Sequence, residues 1–179
     1  ILAAGFLGGV APDLDLYTGH RRTLHYPVYF SLAAVLAVVV AGLVQTVATL
    51  VAAVALTAGA LHCVSDVLGG GLELRPWEGT SDRAVYDHYH GRWIAPRRWI
   101  RYDGSPADLL LAATLAFPLL AALDGPFRWL TLTALSVATV YAATRRVLPT
   151  LAERLVGSVL PDALSGHAPE RYHDAPADD

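Results

Sequence analysis

The chain has no Met, no Lys and only one Cys, Cys63, in 179 residues. A lone thiol excludes an internal disulfide and argues against a thiolate zinc site; Cys63 reads as a small buried hydrophobe. All 13 basic residues are Arg, and a formal net charge of -3 gives no basis for a nucleic-acid surface. Charge of either sign is scarce, at 16% of residues against roughly 25% in soluble domains. Residues 28–61 contain no charged residue at all. No P-loop, no G-x-S-x-G elbow and no dinucleotide fingerprint is present, so those nucleotide and serine-nucleophile chemistries have no foothold. The missing Met is expected of a fragment whose first apolar stretch, residues 1–11, has lost its beginning.

What remains is apolar: 54% hydrophobic residues and a mean hydropathy of +0.42, a membrane composition. A bilayer core of about 30 Å needs roughly 20 apolar residues as a helix. The uncharged stretch 28–61 would make a single helix of about 51 Å, too long for one span. Its only polar break is Gln45-Thr46, beside Gly42. It therefore reads as a hairpin, with spans near 27–45 and 48–66. Two more spans follow at 107–123, which contains Pro118, and at 127–143, separated by Asp124-Gly125-Pro126.

With the truncated first segment, the expected fold is all-α: an integral membrane bundle of about five helices with a polar loop over 67–106. Gly69-Gly70-Gly71 stops the third helix, and the Trp and Tyr residues of the loop suit a headgroup-level cap. Residues 151–160 read as a short amphipathic surface helix. The membrane domain is expected over 1–160, with 161–179 a disordered acidic tail. This hairpin topology leaves 12 of the 13 Arg on one side, with only Arg128 opposite. Positive residues stay cytoplasmic, so the expectation is a multi-pass cell-membrane protein with that face inward and the lipid bilayer as its partner.

The same topology gathers chemistry. Asp13, Asp15, His20 and His25 lie within thirteen residues, and His62 and Asp66 follow the hairpin. His62 and Asp66 are i and i+4, one above the other on a helix face, a spacing that suits a shared metal. Pro12 biases Ala11 away from helical geometry, so the first helix is expected to end there. Carboxylates with imidazoles suit Zn, Mn, Fe or Mg rather than a soft-metal site. Such a centre lowers the pKa of a water toward about 7 and polarises the bond under attack. Six donors also leave room for two ions about 3.5–4 Å apart. Arg21 and Arg22 are placed to hold an anionic oxygen.

Taken singly, each element has an ordinary reading: an acidic turn for Asp13 and Asp15, a topology anchor for Arg21-Arg22, an interfacial histidine at 62, a helix cap at Asp66. Their meeting at one membrane face is what argues for a site. Asp87, His88 and His90 read as loop polarity, with a further ligand or a proton shuttle at His88 and His90 as the alternative, and Glu73, Glu78 and Asp82 as general-base candidates without positional support.

The pattern P-D-L-D-x4-H-R-R-T-x-H over 12–25, then H-C-x-x-D over 62–66 and P-W at 76–77, resembles the membrane-bound metal-dependent hydrolases, also described as LexA-binding, inner-membrane-associated hydrolases. The resemblance covers roughly residues 1–80. Tyr26 departs from it, standing where a small hydroxyl residue is common. It implies a divalent metal held by Asp13, Asp15, His25, His62 and Asp66, with His20 and Arg21 in catalytic roles. The expected chemistry is hydrolysis of a phosphoester or ester, on a small-molecule or lipid substrate. The rival is a membrane protein that binds a cation for structure, transport or partner recruitment. Span interiors that offer only Thr, Ser and Gln argue against a transporter.

Overall fold

The computed structural model describes residues 1–159; the expected tail over 161–179 lies outside them. The described residues are mainly helical: α1 (Leu2–Val10), α2 (Pro27–Val44), α3 (Val47–Leu68), α4 (Pro106–Ala122), α5 (Gly125–Thr144) and α6 (Leu148–Val159), with one two-stranded sheet of β1 (Val85–Asp87) and β2 (Arg92–Ile94). The chain divides into two compact units, Ile1–Gly71 with Ser81–Trp99, and Leu72–Thr80 with the chain from Ile100 onward.

In the first unit α2 and α3 form the expected hairpin. Gln45 terminates α2 in the left-handed region, φ 50°. Thr46 then caps α3, its hydroxyl accepting from the Thr49 amide while the Thr49 hydroxyl accepts from the Thr46 amide. Reciprocal bonding of this kind satisfies donors that a helix start leaves orphaned. Ala34 and Ala41 of α2 and Ala53, Gly59, Ala60 and Cys63 of α3 are buried. Both helices are long and apolar enough to cross a membrane, with mean hydropathies of 2.4 and 2.0. Only 17% and 22% of those stretches are buried within the chain, unlike the core helices of a soluble domain. Leu32, Val35, Leu36 and Leu43 all lie more than 60% exposed.

Helix α1 packs on α3 through small residues. A Cβ at Gly8 would stand 2.2 Å from the Ala55 carbonyl oxygen, and one at Gly59 would stand 3.2 Å from that of Gly8. Gly5 lies against Val54 and Gly9 against Ala58, so the two helices run in the same direction. Small residues let apolar helices approach this closely. The end of α1 is thereby carried to the C-terminal turns of α3.

One expectation fails here. Ala11 is not driven out of helical space; it is right-handed helical, φ -54° and ψ -40°, and the chain tightens into a 3₁₀ turn over Ala11–Asp15. Pro12 has no N–H to donate, but near a helix start that donor has no partner in any case.

The 67–106 loop is also more ordered than expected. Its hairpin pairs Val85 with Ile94, Tyr86 with Trp93 and Asp87 with Arg92. Three-residue strands are too short to show alternation in sequence. The Asp87 carboxylate organises the turn, accepting from the Tyr89 and His90 amides and pairing with His90 Nδ1 at 2.6 Å. Burial works to raise the Asp87 pKa, but these bonds to His90 and Tyr89 hold it below the usual carboxylate range. Past β2, the amides of Arg97, Arg98 and Trp99 donate to Val67, Gly69 and Leu68, tying off the end of α3.

In the second unit α4 runs through Pro118 and is followed within two residues by α5. Helix α4 is apolar and, at 17 residues, shorter than α2 or α3. The surface helix expected at 151–160 begins three residues earlier, as α6. Tyr102, expected at the headgroup surface, is buried and packs edge-on against Trp77. Arg145 lies near the Trp77 and Tyr141 rings, and Arg75 pairs with Glu153 at 2.9 Å.

Candidate metal centre

Asp13, His25, His62 and Asp66 arrive from three stretches of the first unit: the 3₁₀ turn, the residues before α2, and the last two turns of α3. Their donor atoms converge. Asp13 Oδ1 is 3.4 Å from His62 Nε2 and 3.8 Å from His25 Nε2. Asp66 Oδ2 is 3.1 Å from His25 Nε2 and 3.4 Å from His62 Nε2. His25 Nε2, His62 Nε2 and Asp66 Oδ2 are buried without a hydrogen-bond partner. Asp13, whose side chain is 52% exposed, faces water on its other side.

The two acidic residues of the 3₁₀ turn do not play one part. Asp13 meets His25 at Nε2, whereas Asp15, fully buried, meets the same ring at Nδ1. Asp15 Oδ2 lies 3.0 Å from His25 Nδ1 and accepts from the Leu24 amide at 3.0 Å, while Oδ1 lies 3.2 Å from His20 Nδ1. A carboxylate beside Nδ1 fixes the proton there and turns the Nε2 lone pair inward. Residues in successive 3₁₀ positions point about 120° apart, which is how two acids two residues apart reach opposite edges of one imidazole.

Burial works to raise the Asp15 pKa, but the Leu24 amide and the His25 ring outweigh it and hold the carboxyl below its usual value. Asp13 is also held low, chiefly by the His62 imidazole 3.4 Å from its Oδ1, against a smaller effect of burial. His20 moves the other way for an imidazole with acidic neighbours: burial and then the Arg21 charge push its pKa below 6.5, outweighing Asp15 and Asp13.

Arg21 is held by both halves of the site. Its guanidinium lies 3.4 Å from Asp66 Oδ1 and donates to the Gly70 carbonyl at 3.0 Å, leaving a buried Nε–H without an acceptor. Its backbone takes the left-handed conformation, φ 59°. Arg22 is exposed, with its guanidinium 4.8 Å from the Tyr86 ring centre. Seven donor-bearing residues anticipated in sequence, Asp13, Asp15, His20, Arg21, His25, His62 and Asp66, therefore lie together. His90 instead pairs with Asp87, and His88 donates from Nε2 to the Arg22 carbonyl at 2.6 Å. Asp82 and Glu78 are exposed.

Two overlapping triads, Asp13 with His25 and His62, and Asp15 with His20 and His25, have the spacing of cation ligands. The chemistry of the set fits a divalent ion. At metal–nitrogen and metal–oxygen distances of about 2.0–2.2 Å, the edge of a tetrahedral shell is about 3.3–3.6 Å; the four carboxylate–imidazole separations among Asp13, His25, His62 and Asp66 run from 3.1 to 3.8 Å, with Asp13, His25 and His62 the three whose ligand atoms all lie within 4.8 Å of one another. No family model matches the chain, and neither a curated protein nor a solved structure matches it.

Proposed function

We propose that this chain is a membrane-embedded, metal-dependent hydrolase acting on a phosphoester or ester at the cytoplasmic face. The observation that carries the proposal is the convergence of three buried polar atoms without a hydrogen-bond partner, His25 Nε2, His62 Nε2 and Asp66 Oδ2, on a fourth, half-exposed carboxylate oxygen. Buried polar atoms left without a hydrogen-bond partner are costly, and a low dielectric sharpens the cost. A proton on one imidazole or a cation among them relieves it, and separations close to a tetrahedral edge favour the cation. The hydrolytic reading rests on this mixed carboxylate and imidazole set and on the family resemblance of the 12–25 and 62–66 motifs.

Asp13, His25, His62 and Asp66 would hold the ion. Bound there, a divalent ion acidifies a water and polarises the bond under attack. The protein groups do the rest. Asp15 keeps His25 in the tautomer that ligates. Arg21 orients Asp66 and keeps its buried Nε–H for an oxygen that gains negative charge in the transition state. His20, held neutral near pH 7 by burial, is able to accept a proton at the rim. Arg22, with no carboxylate partner among the described residues, is the cation left for an anionic substrate.

The membrane placement rests on α2 and α3 as two spans and on the Arg asymmetry, which argues for a site on the cytoplasmic side. Metal analysis of the detergent-purified full chain tests the proposal. Wild type should carry metal that Asp13→Ala and His62→Ala lose, and it should turn over at least one member of a phosphoester and lipid-ester panel. Metal retained in both variants overturns the centre. Metal without turnover leaves a cation-binding membrane protein.

A further inference from the structure

We infer that the hairpin segment Ser81–Trp99 is the clip that holds the metal-site loop against the end of α3, and that His88 is its positioning residue. The inference rests on the metal-centre reading for its consequence, though its geometry stands apart from it. No ligand comes from this segment, yet it bonds to both ligand-bearing parts of the first unit. On one side the Tyr86 amide donates to the Arg21 carbonyl at 2.9 Å, and His88 Nε2 donates to the Arg22 carbonyl at 2.6 Å. On the other side the amides of Arg97, Arg98 and Trp99 donate to the last carbonyls of α3 and its cap.

The rings repeat the pattern. His88 packs at 4.5 Å against Tyr26, the residue after His25, and at 4.9 Å against Tyr86 of β1. Arg22 closes the stack by lying over Tyr86. Tyr86 points to the same duty from the strand, since its backbone binds the loop while its ring carries both His88 and Arg22.

A clip is needed because the loop is awkward to hold. Gly19 and Arg21 both have positive φ, 114° and 59°. A left-handed Arg persists only where its surroundings fix it. Within the loop, the Arg22 and Thr23 amides bond back to Gly19 and the Leu24 amide to Asp15. Nothing in that set ties residues 20–22 to α3 except the Arg21 side chain. The hairpin supplies the missing attachment through the backbone, so Arg21 can stay aimed at Asp66 and His25 at His62.

The test compares His88→Phe, which keeps a ring between the tyrosines and removes the N–H, with His88→Gln, which keeps a donor. The full chain in detergent is followed by hydrogen exchange and by titration with cobalt(II) as the metal probe. His88→Phe should speed exchange about five- to tenfold, the effect of one lost hydrogen bond, within residues 19–25 and leave α2 and α3 protected. Its cobalt affinity should fall about tenfold with an altered visible spectrum, and His88→Gln should recover both. Wild-type exchange over 19–25 in His88→Phe overturns the inference, and so does acceleration spread evenly through α2 and α3. If the wild-type chain takes up no cobalt, the metal-centre reading fails while the exchange measurement still decides the clip.

Discussion

The C-terminal ends of α3 and α5 carry similar residues to different effect. Near the end of α5, Tyr141 donates to the Asp103 carboxylate and Arg145 lies 3.5 Å from the same group. The Asp103 carboxylate there is met by a hydroxyl and a guanidinium. At the end of α3, Asp66 Oδ2 faces His25 Nε2 and His62 Nε2, and none of the three has a hydrogen-bond partner. The first arrangement is closed and stabilises a turn. The second is open and asks for something positive to close it. Polar residues beside apolar helices thus mark a site when several of their buried atoms converge without partners, rather than by being polar.

The sharpest way to break this contrast is to remove one group from each end. His62→Ala or Asp66→Ala should lower metal affinity roughly 100-fold or more, whereas Asp103→Asn should leave it unchanged and cost only about 1 kcal/mol of stability. Metal titration and thermal melting of the same preparations give both readings, and equal metal loss in all three would erase the distinction. Next comes the helix crossing that delivers Asp13. Gly8→Val places a side chain against the Ala55 backbone and should cost about 1–3 kcal/mol or more, with metal affinity falling too. Gly42→Ala, where the added methyl meets nothing within 4 Å, is the matched control and should be neutral or stabilising by up to about 1 kcal/mol.

Asp15→Asn leaves the four inward-facing donor atoms in place and should lower metal affinity about 10- to 100-fold; an unchanged affinity would show that His25 needs no support from behind. The smallest effect is on pH. A group whose folded pKa is depressed binds fewer protons folded than unfolded, so stability falls as pH falls. For His20 the loss begins below about 6.5, and for Asp13, Asp15 and Asp87 below about 4. Melting temperatures of the metal-free chain should therefore decline in two steps on acidification, and His20→Gln should remove the upper one.

Much of this was legible in the residues, and for identifiable reasons. Gln45-Thr46 was the only polar break in a stretch too long for one span, and the turn lies there. The three glycines after Leu68 ended α3 because its C-terminal cap sits at Gly69. His62 and Asp66 needed only helical periodicity to stand together. The hairpin at β1 and β2 was hidden because each strand pairs only three residues. The local rule for a residue before proline gave the wrong geometry at Ala11, where continuing the turn into 3₁₀ brings Asp13 and Asp15 around His25.

The amino-acid sequence by itself determined the apolar hairpin and the donor atoms at its open end, since chain length, hydropathy and i, i+4 spacing are local quantities. Only the tertiary structure decided which acid faces which nitrogen of His25, that Arg21 reaches Asp66, and that a distant hairpin binds the loop between them. Those depend on how closely Gly8 lets α1 approach Ala55 and on hydrogen bonds from Tyr86 and His88 to the carbonyls of Arg21 and Arg22, more than sixty positions away, and no local pattern of residues carries either distance.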